Sequence, residues 1–423
     1  MAIDSFNFTS LRSEQLGQSS PGRLHKLQKV NPITLELNSQ LLEAMRAQQF
    51  AGYDPFDMLN SRVLRATPLY RSELVRLAWL QLGKRSPVNL RPMLGVPRAR
   101  NPKGVALVIL GLLQDHQRTG KQSYLDEAIV LGEWLLREHC DRIEWHHWCW
   151  GYHFNWQARA FYVPVGRPNM ITSVYVARAL YALGEVARRA DFRGAALDVA
   201  RFIQKHLYTE ADGRCFYAYI PGETAFVHNA SLWGAAWCGF AGRQLNNAGM
   251  VEQALRVARQ SVAEQRSDGA WVYGARHHHQ FIDGFHSGYN LEALSLLRDA
   301  LATDEFDDAI ARGYRYYVDT FFQPDGTAKY YNNGVYPIDM HSFAQAVFTL
   351  LKVGGSEADR ALCDKVVRRA IELMYVPKTG LFIYQKTRFF TNRINYLRWT
   401  QAWAYYALAF YNRCRSEAED ASN

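Results

Sequence analysis

The chain has 423 residues, 48% of them hydrophobic and 13% aromatic, with a formal net charge of +9. That composition excludes a disordered chain and supplies a sizeable core, and no stretch reaches the roughly 20 continuous apolar residues of a membrane span. Lys and Arg are scattered and form no runs, which argues against a nucleic-acid partner and for an anionic substrate such as an acidic glycan.

The first twenty residues, "MAIDSFNFTSLRSEQLGQSS", lack a charged start followed by an apolar block, so no signal peptide is read and a cytoplasmic protein is expected. Residues 1–59 are expected to form an N-terminal extension, 60–415 the catalytic or binding domain, and 416–423 a polar tail. Helices then follow in two kinds. Amphipathic, charged segments are "YRSELVRLAWLQLG" (70–83), "YLDEAIVLGEWLLREH" (124–139), "FRGAALDVARFIQKHL" (192–207), "MVEQALRVARQSVAEQ" (250–265), "DEFDDAIARGYRYYVDTFF" (304–322) and "EADRALCDKVVRRAIELMY" (357–375). Between them lie segments apolar on most of their circumference: "NPKGVALVILGLLQDH" (101–116), "NMITSVYVARALYALGEVA" (169–187), "NASLWGAAWCGFAGRQL" (229–245), "HSGYNLEALSLLRDAL" (286–301), "MHSFAQAVFTLLKVG" (340–354) and "YLRWTQAWAYYALAFYN" (396–412). A helix apolar all round belongs inside and an amphipathic one outside. The alternation, repeated at roughly 50–65 residues, predicts an all-α double ring, an (α/α)6 toroid of six inner and six outer helices.

The connections differ in length. Outer helices return to inner ones through "ADGRCFYAYI" (211–220), "SDGAWVYGAR" (267–276), "PDGTAKYYNN" (324–333) and "KTGLFIYQKT" (378–387), each a turn dipeptide followed by aromatic or β-branched residues, a hairpin signal. These hairpin loops therefore gather at one end, where the inner helices begin, and loops on a rigid scaffold are where function usually sits.

The blocks "GYDPFDMLNSRVL", "KRSPVNLRPMLGVPRARNPKGVAL", "WGYHFNWQAR", "FIDGFHSGYNLEAL" and "RWTQAWAYYALA" resemble the VpsJ-like proteins found among bacterial polysaccharide-biosynthesis genes. The resemblance runs from about Tyr53 to Leu408 and implies an (α/α)6 toroid of the six-hairpin glycosidase-like kind. It also implies a role in exopolysaccharide production beside other proteins of such gene clusters. Similar proteins more often carry Pro and Asp where this chain has His153 and Asn155, which argues against a catalytic role for that loop.

Three inner-helix starts carry polar groups: "VHNAS" with Asn229, "FIDGFHSGY" with Asp283, His286 and Tyr289, and "PIDMHSF" with Asp339 and His341. A carboxylate there can simply cap backbone N–H groups. Its recurrence beside a histidine instead makes Asp283, Asp339, His286 and His341 catalytic candidates. Two carboxylates across a cleft suit glycoside cleavage, whereas a His–carboxylate or Tyr–His pair suits proton abstraction beside a uronate carboxyl group, as in epimerisation or elimination. Trp150, Tyr152, Trp271 and Trp399 offer flat faces for a sugar. Asn155, Asn229 and Tyr289, and Arg159 and Arg398 as carboxylate partners, complete the expected binding set.

Other chemistries lose ground. Of consecutive His277, His278 and His279 in an extended hairpin at most two converge, and no Cys or carboxylate stands at zinc spacing, so no metal is expected. Six cysteines at irregular spacings, without a Cys-x-x-Cys, read as reduced core thiols. No Gly-x-Gly-x-x-Gly, phosphate loop or Gly-x-Ser-x-Gly is present, so no nucleotide cofactor is expected, and no aspartate-rich cluster of a terpenoid cyclase is visible. A carbohydrate-active enzyme taking an oligosaccharide or polysaccharide is the leading expectation. A non-catalytic glycan-binding or assembly protein using the same cleft is the alternative.

Overall fold

The computed structural model describes residues 32–157 and 162–420. Six inner helices, Pro102–Thr119, Met170–Val186, His228–Gln244, Gly284–Leu301, Met340–Phe348 and Ala402–Asp420, pack each against the next, and the last closes on the first. Five outer helices, Gln122–Arg137, Ala190–Phe202, Ala248–Ala263, Asp307–Phe321 and Glu357–Met374, each follow an inner helix and pack back on it. This is the (α/α)6 toroid. Burial follows composition: every side chain from Met170 to Tyr181 is buried, whereas Gln122–Arg137 buries a stripe of Leu125, Ala128, Leu131, Gly132 and Leu135.

The sixth outer position is filled from an unexpected segment. Helix Pro32–Arg46 packs on Ala402–Asp420, burying Leu37, Leu41, Leu42 and Met45. It is fastened by Thr34 Oγ1 donating to Asn412 Oδ1 at 2.7 Å and by Asn38 Nδ2 donating to Asp115 Oδ2 at 2.8 Å. Residues 32–46 are therefore part of the ring and not a loosely packed extension. The segment expected there, now helix Glu73–Arg85, lies instead against Asp57–Asn60, Pro68–Arg71 and the strand Trp156–Gln157. The last inner helix runs through Ala402–Asp420, so residues expected as a tail from 416 continue it.

The fourth and fifth inner helices approach closely because Gly288 has no side chain: a Cβ there would lie 2.6 Å from Thr349 Oγ1 and 2.7 Å from Gln345 Cγ. Of the four expected hairpins, two form as paired strands. Tyr208–Ala211 pairs with Arg214–Tyr217 around Asp212-Gly213, both at positive φ (52° and 73°), and Tyr375–Val376 pairs with Leu381–Phe382. The other two are irregular loops with isolated bridges, Val227 with Gly274 in the first, and Phe322 with Ala328, Asp283 with Tyr331 and Tyr331 with Gly334 in the second. Ile338–Asp339 joins a three-stranded ribbon with Gln385–Lys386 and Thr391–Asn392. Among the described residues no helix is long and apolar enough to cross a membrane.

Candidate active site

The starts of the first five inner helices and the turn Leu397–Gln401 that leads into the sixth converge on one cavity of about 150 Å³, to which they contribute Lys103, Ile171, Asn229, then Phe285, His286 and Tyr289, then His341, and finally Arg398 and Trp399. Loop residues Phe56, Tyr152, Phe154, Trp156, Tyr219 and Tyr273 complete the wall. The lining is mostly aromatic with a few convergent polar groups, the usual make-up of a small-molecule site. Among the described residues no carboxylate reaches the cavity wall.

The two histidines are held by different partners. Asp283 caps the fourth inner helix: its Oδ1 accepts from the His286 backbone N–H at 2.8 Å, and its Oδ2 lies 2.7 Å from His286 Nδ1. Placing the proton on Nδ1, where the carboxylate can accept it, leaves Nε2 with its lone pair free. The Asp283 side chain is buried while His286 keeps 21% exposure, so the carboxylate is reached only through the imidazole. His341 Nε2 lies 2.5 Å from the Tyr289 hydroxyl, and its buried Nδ1 has no hydrogen-bond partner among the described residues. Burial holds the His341 pKa well below the ordinary histidine range, so the ring is neutral. The Phe285 ring touches both imidazoles, with centroids 4.2 Å from His286 and 4.9 Å from His341.

Arg398 supplies a fixed cation. Its Nε and Nη2 donate to Asp54 Oδ2 and Oδ1 at 2.6 and 2.8 Å. Burial opposes its charge, but Asp54 outweighs burial and the guanidinium stays protonated. Lys103 is different. Its Nζ lies 4.3, 5.2 and 5.5 Å from the ring centroids of Tyr175, Trp403 and Tyr289. Burial, followed by repulsion from Arg398, sets its pKa well below the usual lysine range. One turn beyond Tyr289, the Glu292 carboxylate binds Arg178 Nη2 at 2.9 Å, Lys352 Nζ at 2.7 Å and Gln345 Nε2 at 3.2 Å.

Of the residues singled out from sequence, His286, His341, Tyr152, Asn229, Tyr289, Arg398 and Trp399 meet at the cavity. The two aspartates do not face each other across it. Asp339 caps the fifth inner helix, accepting from His341 N–H at 2.8 Å and Gln385 Nε2 at 3.0 Å, and burial pushes its pKa up to about 7. Trp150 is fully buried, its indole donating to Leu135 O at 2.8 Å, and Trp271 donates to Ser261 O at 2.9 Å, so both brace loops. Asn155 ties Tyr70 Oη (2.9 Å) to Val165 N (2.9 Å) behind the wall. Arg159 lies outside the described residues. His277–His279 form a 3-10 turn, not the expected strand. Sequence reading missed Lys103, although "NPKG" begins the first inner helix as the other candidates begin theirs, and it missed Asp54, the partner of Arg398.

No family model and no curated protein matches the chain. Solved structures match in fold. A cellobiose 2-epimerase from Bacillus thermoamylovorans B4167 superposes with a TM-score of 0.61 at 11% identity, over 90% of this chain and 99% of that one. An unsaturated glucuronyl hydrolase specific for heparin gives 0.60 at 10% identity, over 92% and 97%. A family GH76 α-mannanase from Bacteroides thetaiotaomicron gives 0.58 at 11% identity, over 78% and 90%. At such identities the likeness establishes the (α/α)6 toroid.

Proposed function

We propose that the protein is a carbohydrate-active enzyme that moves a proton on the carbon beside a carbonyl or carboxylate group of a sugar. It thereby epimerises the sugar or, from a uronate, eliminates across the adjacent bond. The observation that carries this reading is the cavity wall itself, with two histidines on adjacent inner helices and, among the described residues, no carboxylate. Glycoside cleavage needs an acid and a second carboxyl group flanking the bond, whereas proton transfer needs a base and an acid positioned within hydrogen-bonding reach of the substrate. His286, oriented by Asp283, presents a free Nε2 as base. Neutral His341, coupled to Tyr289, can give or take a proton from a second position, and Arg398 faces the oxygen on which negative charge develops. The aromatic wall suits the flat apolar faces of a sugar ring.

One protein of this fold is named a sugar epimerase and another a glucuronyl hydrolase, which supports a sugar carbonyl or uronate as substrate. The net charge of +9 supports an anionic glycan, and the block resemblance supports exopolysaccharide production as its setting, beside other proteins of such gene clusters.

The test is incubation in D2O with reducing disaccharides and uronic-acid oligosaccharides, followed by NMR. Deuterium should enter at the carbon beside the carbonyl or carboxyl group, and His286→Asn or His341→Asn should slow its entry at least about a hundredfold. New reducing ends without exchange would make the protein a hydrolase. Saturable binding with no conversion of any sugar would make it a glycan-binding protein.

A further inference from the structure

Lys103 takes no part in the proton transfers described above, yet it lines the same cavity. Its backbone N–H is bound by the Asn101 cap at 3.0 Å, at the start of the first inner helix. The residue is only 3% exposed, with Nζ among Tyr175, Trp403 and Tyr289. Among the described residues no carboxylate, carbonyl or hydroxyl hydrogen-bonds that nitrogen. Asp54, the acid whose field reaches it, is already engaged at both oxygens by Arg398. A buried lysine normally has a carboxylate partner, and the same protein shows the usual solution at Lys352, 2.7 Å from Glu292.

We propose that Lys103 is a second reactive group of this cavity, a primary amine that condenses with the free aldehyde or ketone of an open-chain sugar. The idea rests on the reading that the cavity takes a reducing sugar. The nitrogen lone pair adds to the carbonyl carbon, and one N–H proton passes to the former carbonyl oxygen. The carbinolamine then loses that oxygen as water together with the second amine proton, leaving a C=N bond with no change of oxidation state. Taking up one proton from solvent on nitrogen turns the imine into an iminium, which draws electrons from the neighbouring carbon more strongly than a carbonyl does, so it would ease proton removal by His286.

The charges around Nζ favour the amine. Enclosure and the positive charges of Arg398 and Arg178 disfavour the ammonium, Asp54 favours it, and His341, Tyr175 and Tyr289 are neutral neighbours. The three aromatic faces attract a cation, but they do not replace the lost hydration of a fully enclosed charge.

The experiment uses the full-length protein with glyceraldehyde and cyanoborohydride at pH 6–8, read by peptide mass spectrometry. Lys103 should gain the reduced adduct at least about tenfold faster than any other lysine, since each pKa unit of depression raises the neutral fraction tenfold below both pKa values. Lys103→Met should remove that fast adduct while the protein melts no lower than wild type. Labelling of Lys103 no faster than that of surface lysines overturns the proposal, whether or not sugars exchange deuterium. Fast labelling in a protein that exchanges deuterium into no sugar supports the amine and sinks the proton-transfer reading, so the two failures are distinguishable.

Discussion

Asp283 and Asp339 cap neighbouring inner helices, Asp283 accepting from the N–H of His286 and Asp339 from that of His341, yet of the two only Asp283 also holds an imidazole. Replacement by Asn keeps a good cap, so Asp283→Asn should lower stability by no more than about 1 kcal/mol. An Asn amide facing Nδ1 favours the wrong tautomer, however, and deuterium exchange should fall at least about a hundredfold. Asp339→Asn should leave exchange within a few-fold. Its effect belongs to stability: burial raises the folded pKa to about 7 from the ordinary 3.8. The stability contributed by the protonated group is therefore complete below about pH 4 and is lost as the pH climbs towards 7. Thermal melts across that range should show the Asn variant gaining on wild type by up to about 4 kcal/mol, at about 1.4 kcal/mol per pKa unit. A variant that tracks wild type at every pH would show that Asp339 is ionised throughout. The histidines were legible in the sequence because each stands within three residues of a helix-capping Asp. The aspartates' role was not, because spacing shows that a carboxylate stands at a helix start but not that it turns back onto its own backbone.

At the scale of elements, two helices exchanged the places expected of them. Pro32–Arg46 carries the complete stripe 34, 37, 38, 41, 42 and 45, but Thr and Asn occupy two of those positions and conceal its apolar character. Glu73–Arg85 shows its Leu, Val and Trp residues plainly, yet it leaves Leu74 78% and Leu82 48% exposed. Leu41→Ala should therefore cost about 2–5 kcal/mol, and Leu74→Ala should stay within about 0.5 kcal/mol. Denaturant titration of the two variants checks this, and equal losses would remove Pro32–Arg46 from the ring. The other helices were legible because all-round apolarity and amphipathicity alternate without interruption. The loops after Gly269 and Gly326 carry the hairpin signal without forming paired strands, because a turn dipeptide fixes a reversal of the chain and leaves the pairing of its flanks to their side chains.

Across the whole molecule, the Glu292 carboxylate links the second inner helix, through Arg178, to residues of the fifth inner helix and its continuation, Gln345 and Lys352. Burial works against this carboxylate, but Lys352 and Arg178 overcome it and bring the pKa down to about 2. The stability it contributes is present above about pH 4.5 and is lost as the pH falls towards 2. Glu292→Gln leaves two cations enclosed without an anion and should cost about 3–5 kcal/mol at pH 7. Urea midpoints should show the gap between variant and wild type closing between pH 5 and 2. A gap constant with pH would mean that the network acts through shape alone.

The fastening of Pro32–Arg46 to the last inner helix also sets a timetable for biosynthesis. Thr34 meets Asn412 across 378 residues of chain. At roughly 5–20 residues per second a ribosome needs about 20–75 s to deliver the second partner after the first has emerged. For that interval the earliest of these helices lacks the last inner helix, on which its oily stripe packs, so a nascent chain of this protein is a natural client for chaperones until its final helix leaves the exit tunnel.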